Sequence, residues 1–339
     1  MKHWRISFTS ESQKVPFLAA LALLTLLTAV LSICFGAVSV SPGEVLGALL
    51  GERETAAAQI ILFARLPRTC GCLLAGTALA VSGTVIQAVL DNPLAAPNII
   101  GVNSGAGLMV ALCCALWPTA VAAVPFAAFL GALAGAFLVL FIGERTGAAR
   151  ITLVLAGVAV SAIFSAGIDA ILIFVPEALN GYSDFRIGGM ANLSMDRIIP
   201  AFWIILAALI MVFLLAGELD ILLLGTETAQ SLGLRVKPLR LILLALAAAL
   251  AGGAVSFAGL LGFVGLIVPH MMRRLLGAES FPLLLASALS GAVMLTLCDL
   301  LSRILFAPYE LPVGIVLALI GGPFFIWLLL RQRGGRTHD

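Results

Sequence analysis

The chain has 339 residues, of which 62% are hydrophobic and 11% are charged, and its formal net charge is +2. Soluble domains are about half apolar and about a quarter charged, so this composition excludes an ordinary soluble protein. The small net charge also argues against a nucleic-acid-binding surface, which is strongly basic. A bilayer accounts for the apolar excess, because lipid accepts apolar side chains on the outside of a protein. We therefore predict an all-α integral membrane protein with a single domain over residues 1–339.

Apolar windows of about 20 residues predict about ten transmembrane helices. A cleaved signal peptide is the alternative for the first helix, but its apolar run is longer than the roughly 7–15 residues of a signal sequence. The pair at 239–270 could instead be one long helix and a re-entrant segment, because five glycines crowd it. The predicted spans are 15–36, 61–82, 94–116, 120–142, 151–174, 198–217, 239–256, 258–270, 281–302 and 311–330.

The positive-inside rule predicts the orientation. An even number of spans places both termini on one side of the membrane. If that side is the cytoplasm, the inside segments carry 13 and the outside segments 6 of the 19 Lys and Arg residues. We therefore expect a cytoplasmic N-terminus over residues 1–14 and a cytoplasmic tail over residues 331–339.

Two outside segments have the character of short helices at the membrane surface. Ser41 is a candidate N-cap, Pro42 suits the first turn, and Glu44 stands where a capping box places an acid. The stretch 175–197 is too polar to span the membrane, and it contains Pro176 and several glycines. We expect a short helix there that covers the mouth of a pore.

One inside segment, residues 218–234, is longer than a turn between two spans requires. It is predicted to form two short helices that break at Gly225, with Thr226 capping the second and Gly233 ending it. A structured cytoplasmic segment offers a surface to a partner protein. The alternative is an interfacial helix that only anchors the bundle.

Several kinds of chemistry lack their sequence signatures. The chain has no G-x-x-x-x-G-K-[ST] motif and only three lysines, so it has no P-loop for ATP. It also lacks H-E-x-x-H and G-x-S-x-G, and the glycines four apart at Gly101 and Gly105 suit close helix packing instead. We predict no bound cofactor, no metal site and no enzyme activity of its own.

Two acids lie within or near the ends of spans. Asp169 and Asp299 could form a proton relay, because a charge in the bilayer usually faces a cavity or a partner. Capping at the interface, or pairing of Asp299 with Arg303, is the alternative that we favour.

The sequence also resembles a known family, the FecCD-type permeases, which are membrane subunits of type II ABC importers for iron-siderophores, haem and cobalamin. The resemblance covers about residues 15–330. Its motifs are Arg65-Leu66-Pro67-Arg68, Gly76 to Gly83, Gln87, Asn92 to Pro97, Gly101 to Ala106, Leu224-Gly225 to Leu232-Gly233, Gly262 to His270 with Arg273-Arg274, Glu310 to Gly314, and Gly321 to Phe325.

The resemblance implies a homodimer in the bacterial inner membrane, with a central pathway, two cytoplasmic ABC ATPase subunits that bind the ATP, and an extracytoplasmic substrate-binding protein. It implies that residues 218–236 are paired coupling helices that dock on the ATPase, through Leu224, Gly225, Thr226, Glu227, Ala229, Ser231, Leu232 and Gly233. Arginines at the outer face would meet glutamates of the binding protein, and the matching positions are Arg65, Arg68 and Arg303. For these arginines, snorkelling to lipid headgroups is the alternative.

The family motifs near the pathway or gate match Gln87, Asn92, Pro93, Gly101, Ser104, Gly188 and Gly189. The sequence departs from many members at Phe185 to Met190, so the cargo does not follow from the resemblance. An iron-siderophore is our first expectation, and haem or cobalamin follows. A proton- or sodium-driven secondary transporter, an intramembrane enzyme and half of an export pump are the rival classes.

Overall fold

The computed structural model describes residues 11–36, 40–145, 150–191, 193–305, 307 and 309–333. The predicted cytoplasmic ends, 1–14 and 331–339, lie largely outside these ranges. The described residues form fifteen α-helices and no β-strand. The helices are α1 Glu11–Cys34, α2 Pro42–Leu50, α3 Ala56–Gln59, α4 Leu66–Val89, α5 Val102–Leu116, α6 Val124–Arg145, α7 Arg150–Phe174, α8 Ala178–Ile187, α9 Met195–Leu214, α10 Ala216–Leu223, α11 Thr226–Ser231, α12 Val236–Ala258, α13 Val264–Leu276, α14 Ser280–Ile304 and α15 Val313–Arg333.

Each of the ten predicted spans overlaps one of these helices. Within the described residues, seven helical stretches are long and apolar enough to cross a membrane, and α5 and the part Val313–Leu328 of α15 are shorter apolar helices. The all-helical, membrane-spanning class is therefore confirmed, and the count of ten stays a prediction. A π-helical turn, Ile60–Arg65, joins α3 to α4, so the second span is one continuous helical stretch from Ala56 to Val89.

Two boundaries around the connection from α4 to α5 are wrong in the prediction. Helix α4 continues to Val89, and α5 begins at Val102 instead of residue 94. The carboxamide oxygen of Asn92 accepts a hydrogen bond from the Leu94 amide at 3.0 Å, which forms an Asx turn. Pro97 then opens a short 3₁₀ turn. The apolar composition of 94–101 therefore hides a tight connection that does not belong to the span.

The glycine-rich stretch 239–270 forms two helices of unequal length. Helix α12 is long and apolar enough to cross the membrane, whereas α13 has 13 residues and a length of about 20 Å. That length is short for a hydrocarbon core of about 30 Å. Gly265, near the start of α13, lies against Leu79 and Gly83 of α4. Helix α13 therefore begins inside the bundle, and the alternative of a re-entrant segment stays a prediction.

Three helices form the centre of the bundle. In the apolar window that marks each candidate span, 83% of the residues are buried in the α3–α4 stretch, 72% in α12 and 61% in α14. In α1 and in α7 the buried share is 17%. Helix α4 meets its neighbours through glycines. A Cβ added to Gly76 would lie 2.2 Å from the carbonyl oxygen of Gly291 in α14, and one added to Gly83 would lie 1.8 Å from that of Gly265. Small residues permit this approach in a membrane, where no hydrophobic force drives helices together.

The predicted packing role of the glycines spaced by four is confirmed. A Cβ added to Gly105 would lie 2.2 Å from the carbonyl oxygen of Gly131, and one added to Gly101 would lie 3.0 Å from that of Gly135. Both contacts join α5 to α6. The family motif at Gly101 to Ala106 therefore has a structural explanation.

The predicted surface helices are also present. Ser41 caps α2 in a complete capping box with Glu44, and its hydrogen bonds, chiefly from the backbone, hold the pKa of Glu44 below its ordinary value. Helix α8 lies in the predicted stretch 175–197, and Leu260 donates a backbone hydrogen bond to the carbonyl oxygen of Phe185 at its end. Helix α8 therefore packs against the connection between α12 and α13.

The bundle has two ends that hold different sets of predicted site residues. The first, named the coupling end after the predicted role of its residues, holds α10, α11 and the first turn of α14, where Lys14 of α1 also pairs with Glu279. The arginine end holds the last turn of α1, the first turn of α4, the last turn of α14 and helix α8. Helix α14 runs from one end to the other.

The close contact between α4 and α13 generates a prediction. Gly83→Ala should destabilise the protein by about 1–3 kcal/mol, because the added methyl group has no room beside the Gly265 carbonyl and overpacking is costly. The measurement is the midpoint of SDS-induced unfolding of the purified protein. Gly217→Ala is the matched control, because a Cβ there meets nothing within 4 Å. Equal midpoints for the two variants would contradict the packing assignment.

Candidate functional site

The 218–234 segment forms the predicted pair of short helices. Gly225 lies between α10 and α11 with φ 106°, and Gly233 follows α11 with φ 86°. Both angles belong to the left-handed region that glycine adopts without strain. Gly233 donates its backbone N–H to Gln230 at 2.9 Å and Leu234 donates to Ala229 at 3.0 Å, which closes the end of α11. The break at Gly225 and the end at Gly233 are confirmed.

The predicted capping role of Thr226 is wrong. Gly225 occupies the N-cap position of α11, and Thr226 is the first helical residue. The Thr226 hydroxyl instead accepts a hydrogen bond from the Arg240 guanidinium at 2.9 Å. Thr226 therefore ties α11 to α12.

Other contacts from the bundle support the segment. The carboxylate of Asp220 accepts the backbone N–H of Ser280 at 2.8 Å, so α10 caps the first turn of α14. Ala229 is fully buried, and Leu219 and Leu222 are nearly so. The segment is therefore attached to both α12 and α14. Sequence reasoning missed Asp220, because the helix that it caps begins 60 residues further along the chain.

The opposite face of the segment is exposed. Leu224 and Leu232 expose 63% and 62% of their surface, and Glu227 and Ser231 are exposed between them. Two large apolar side chains at the rim of a supported polar segment are typical of a surface that another protein or the membrane interface covers. Of the eight predicted coupling residues, Ala229 and Thr226 support the segment from within.

At the arginine end, one carboxylate joins two arginines. Asp299 has no exposed surface. Its oxygens accept hydrogen bonds from Nε of Arg68 at 2.9 and 3.1 Å, and one oxygen lies 3.2 Å from Nε of Arg303. Nη1 of Arg68 also binds Glu310 at 2.6 Å. The favoured pairing of Asp299 with Arg303 is confirmed, and Arg68 is a second partner that the sequence did not indicate.

Guanidinium groups of Arg303 and Arg65 also donate hydrogen bonds to the end of α1. Arg303 donates from Nη2 to the hydroxyl of Ser32 at 2.7 Å and from Nη1 to its carbonyl at 3.1 Å. Arg65 donates from Nη1 to the carbonyls of Ile33 and Cys34, both at 2.8 Å. We define the arginine cluster as Arg65, Arg68, Arg303, Asp299 and Glu310.

The three predicted docking arginines are buried in this chain. Arg65, Arg68 and Arg303 expose 5%, 7% and 3% of their surface. Snorkelling to headgroups does not describe them, because their guanidinium groups bind partners inside the protein. Docking of a binding protein on them stays a prediction, and it requires an internal partner to give way.

A cavity of about 450 Å³ opens beside the cluster. Its wall includes Gly188 and Gly189, together with Trp117, Phe257 and Val313. That the two glycines lie near a transport pathway stays a prediction. Four charged residues also line it, namely Arg68, Asp184, Arg197 and Glu310. The cavity is amphipathic, and it lies where α8, α12 and the start of α15 meet.

The other five motif residues do not line this cavity. Gln87 is buried, and its amide nitrogen is 3.5 Å and 3.4 Å from the carbonyls of Gly265 and Leu266 in α13. Asn92 and Pro93 form the turn after α4. Ser104 shares a hydrogen bond with Ser161 of α7 at 3.1 Å, and Gly101 packs on α6. These residues join helices to one another, and their place near a pathway stays a prediction.

The described part of the chain contains no candidate metal-binding site. No group of three or more His, Cys, Asp or Glu residues there is placed to hold an ion. The six thiols, Cys34, Cys70, Cys72, Cys113, Cys114 and Cys298, are free.

Comparison with known proteins agrees with this geometry. The FecCD transport family matches residues 24–331. The chain is 38% identical to the Fe(3+)-citrate import system permease protein YfmE of Bacillus subtilis, over 95% of this chain and 97% of that protein. It is 39% identical to the hemin transport system permease protein HmuU of Yersinia pestis, over 80% and 84%.

A third relative is the Fe(3+) dicitrate transport system permease protein FecC of Escherichia coli, with 37% identity over 89% of this chain and 92% of that protein. A solved structure of a metal-chelate type ABC transporter in an inward-facing conformation matches with a TM-score of 0.84. Its identity is 30%, and the match covers 93% of this chain and 99% of that one. The resemblance stated from the sequence motifs is confirmed.

The arginine cluster generates a stability prediction. Asp299→Asn should destabilise the protein by about 3–5 kcal/mol, because it leaves the guanidinium groups of Arg68 and Arg303 buried without their shared carboxylate. SDS-induced unfolding of purified protein measures the change. Glu54→Gln is the matched control, because Glu54 is exposed and lies between α2 and α3, outside the arginine cluster. A loss of stability no larger than that of the control would contradict the central role of Asp299.

Proposed function

This chain belongs to the FecCD transport family, and from that premise we propose that it is the permease subunit of an ATP-binding cassette importer for an iron chelate. The observation that carries the proposal is the match of the family to residues 24–331, on a bundle with seven apolar helices long enough to cross a membrane. Relatives named for iron citrate, hemin and iron-hydroxamate transport support a metal complex as the cargo. The chain is a transport subunit and not an enzyme in itself.

The energy source is proposed to be a pair of ABC ATPase subunits on the 218–234 segment. The chain has no P-loop motif of its own. The segment presents Leu224, Glu227, Ser231 and Leu232 outward, while Asp220 and Thr226 tie it to α14 and α12. Closure of the ATPase pair on bound ATP would move this surface, and the attached helices would rock to open one end of the pathway.

A second copy of the chain is proposed to complete the pathway. Helix α7 buries only 17% of its span window inside this chain. It exposes Asp169 and Ser165, which lie four residues apart on the same side of the helix. A carboxylate that faces lipid is costly, by up to about 2.5–3.5 kcal/mol at the bilayer centre and by less toward the helix end where Asp169 lies. A partner copy, or water between two copies, is the better neighbour for this face.

The orientation follows from the same scheme. The coupling end would face the cytoplasm of a bacterial cell, with both termini on that side of the inner membrane, as the distribution of Lys and Arg predicts. The arginine end would then face outward and receive an extracytoplasmic substrate-binding protein. The cavity beside Gly188 and Gly189 would be the outer mouth of the pathway. This orientation assumes ten transmembrane spans, an even number that places both termini on one side of the membrane.

A proton- or sodium-driven transporter is disfavoured by the surroundings of Asp299. A relay carboxylate must exchange its ion, whereas Asp299 is bound to two buried arginines and has no exposed surface. Haem is the alternative cargo that a finding supports, because the hemin transport relative is 39% identical to this chain. Cobalamin rests on the sequence resemblance alone.

Disruption of the 218–234 segment tests the coupling role. Ala229→Pro removes the N–H that Ala229 donates to the carbonyl of Gly225 at 2.9 Å, so α11 should unwind. Glu227→Lys reverses an exposed charge. Both variants should insert normally and lose at least about 90% of the chelate-stimulated ATPase activity of the reconstituted complex, because 1.4 kcal/mol of lost coupling is already tenfold.

The controls for that measurement keep the same chemistry. Ala229→Gly retains the backbone N–H, and Glu54→Lys reverses an exposed charge outside the 218–234 segment. Both should keep the stimulation. Normal stimulation in Ala229→Pro would overturn the assignment of the segment to the ATPase.

Transport in liposomes tests the proposed function as a whole. The chain is reconstituted with its ATPase and binding protein, and uptake of ferric citrate, a ferric hydroxamate, hemin and cobalamin is measured with and without ATP. We expect uptake of one iron complex that depends on ATP. Uptake by liposomes that hold this chain without the ATPase would refute the proposal.

A further inference from the structure

The carboxylate of Glu310 differs from the other acid of the arginine cluster in its exposure. It lies in the connection from α14 to α15 and binds Nη1 of Arg68 at 2.6 Å. The side chain of Glu310 is 36% exposed, whereas those of Arg68 and Asp299 are 9% and 0% exposed. Glu310 therefore closes the cluster from the solvent side.

The charges of the cluster make one of its ion pairs exchangeable. Arg68 and Arg303 share Asp299, Arg68 also binds Glu310, and Arg65 adds a third positive charge beside them. Asp299 cannot leave, because its departure would strand two buried guanidinium groups at high cost. Glu310 can leave, because water would solvate it and a carboxylate from outside could take its place on Arg68. An external acid that takes this position on Nη1 of Arg68 must displace Glu310.

The position of Glu310 also controls the wall of the cavity. Four residues further on, Gly314 in the first turn of α15 donates its N–H to the carbonyl of Gly188 at 3.3 Å. A Cβ added to Gly314 would lie 2.1 Å from the carbonyl oxygen of Ile187, so α15 lies directly on the end of α8. Arg68, Glu310 and Gly188 line the same cavity. Release of Glu310 would free the start of α15 at the point where it closes against α8.

We propose that Glu310 is an exchangeable internal ligand of Arg68, which an acidic side chain of the docking protein replaces. The exchange releases the connection from α14 to α15 and loosens the contact between α15 and α8. Docking and opening of the cavity are thereby one event. This inference rests on the proposed docking of an extracytoplasmic binding protein at the arginine end.

Binding measurements on the assembled complex in lipid nanodiscs test the exchange. The probe is the binding protein that stimulates ATP hydrolysis in the reconstituted system, loaded with its chelate. Glu310→Gln should tighten its Kd by roughly three- to tenfold, because Arg68 no longer has a carboxylate to release. The gain should vanish in the double variant Glu310→Gln with Arg68→Gln.

Asp184→Asn is the matched control, because Asp184 is an exposed acid that lines the same cavity. It removes the same charge without freeing an arginine, so its gain should be clearly smaller. An equal gain for Asp184→Asn, or an unchanged or weaker Kd for Glu310→Gln, overturns the exchange while leaving docking itself intact. Failure of the wild-type complex to bind any such protein instead overturns the proposed docking and the exchange with it.

Hydrogen exchange gives a readout that does not need the partner. In the complex without binding protein, Glu310→Gln should speed exchange of the Gly314 amide relative to wild type and to Asp184→Asn. Unchanged exchange at Gly314 counts against release of α15. A lowered unfolding midpoint with no change in Kd would assign Glu310 a purely structural role and overturn the proposal.

Discussion

The buried carboxylate of Asp299 is the interaction on which the arginine end depends. A charge removed from water must find a partner, and Asp299 finds two, Arg68 on α4 and Arg303 on its own helix. Those arginines in turn bind Glu310 and Ser32, so one acid fixes the ends of α1, α4 and α14 and the approach to α15. The glycine contacts between α4 and α14 fix the same two helices relative to one another, because they leave little room for a shift of one helix along the other.

Helix α14 connects this cluster to the surface proposed for the ATPase. Its first turn is capped by Asp220 of α10, and Asp299 and Arg303 stand near its last turn, about 30 Å away along the helix. Helix α14 is therefore a direct link between the two ends, and α1 is a second one, because Lys14 pairs with Glu279 at one end and Ser32 binds Arg303 at the other. A force on the 218–234 segment reaches the arginine cluster through a helix whose two ends are both fixed by side chains. Coupling needs such an element with defined contacts at both sites.

The sequence was sufficient for features that depend on composition and local pattern. Apolar windows located the helices, the spacing of Gly101 and Gly105 predicted a close contact, and Gly225 and Gly233 marked the ends of α11. Prediction from the sequence failed where the residue that a side chain binds lies far away along the chain. Arg68 and Asp299 are 231 residues apart, so two residues that we read as outer charges are in fact joined in the interior. The predicted capping role of Thr226 failed for the same reason, because its hydroxyl accepts a hydrogen bond from Arg240 on α12. The start of α5 was predicted too early, because the residues around Pro93 and Pro97 are apolar even though they form the connection before the helix.

The two ends of the molecule offer different kinds of surface, and the difference fits the lifetimes that the proposed partners require. The 218–234 segment exposes Leu224 and Leu232 on a supported scaffold, and apolar anchors of this kind favour a lasting association. The arginine end hides its cations behind internal carboxylates, so an external acid gains only the difference between two similar ion pairs. Such an exchange gives selectivity and rapid release more readily than tight binding. A binding protein that must deliver cargo and depart needs the second kind of surface, and a motor that must pull needs the first.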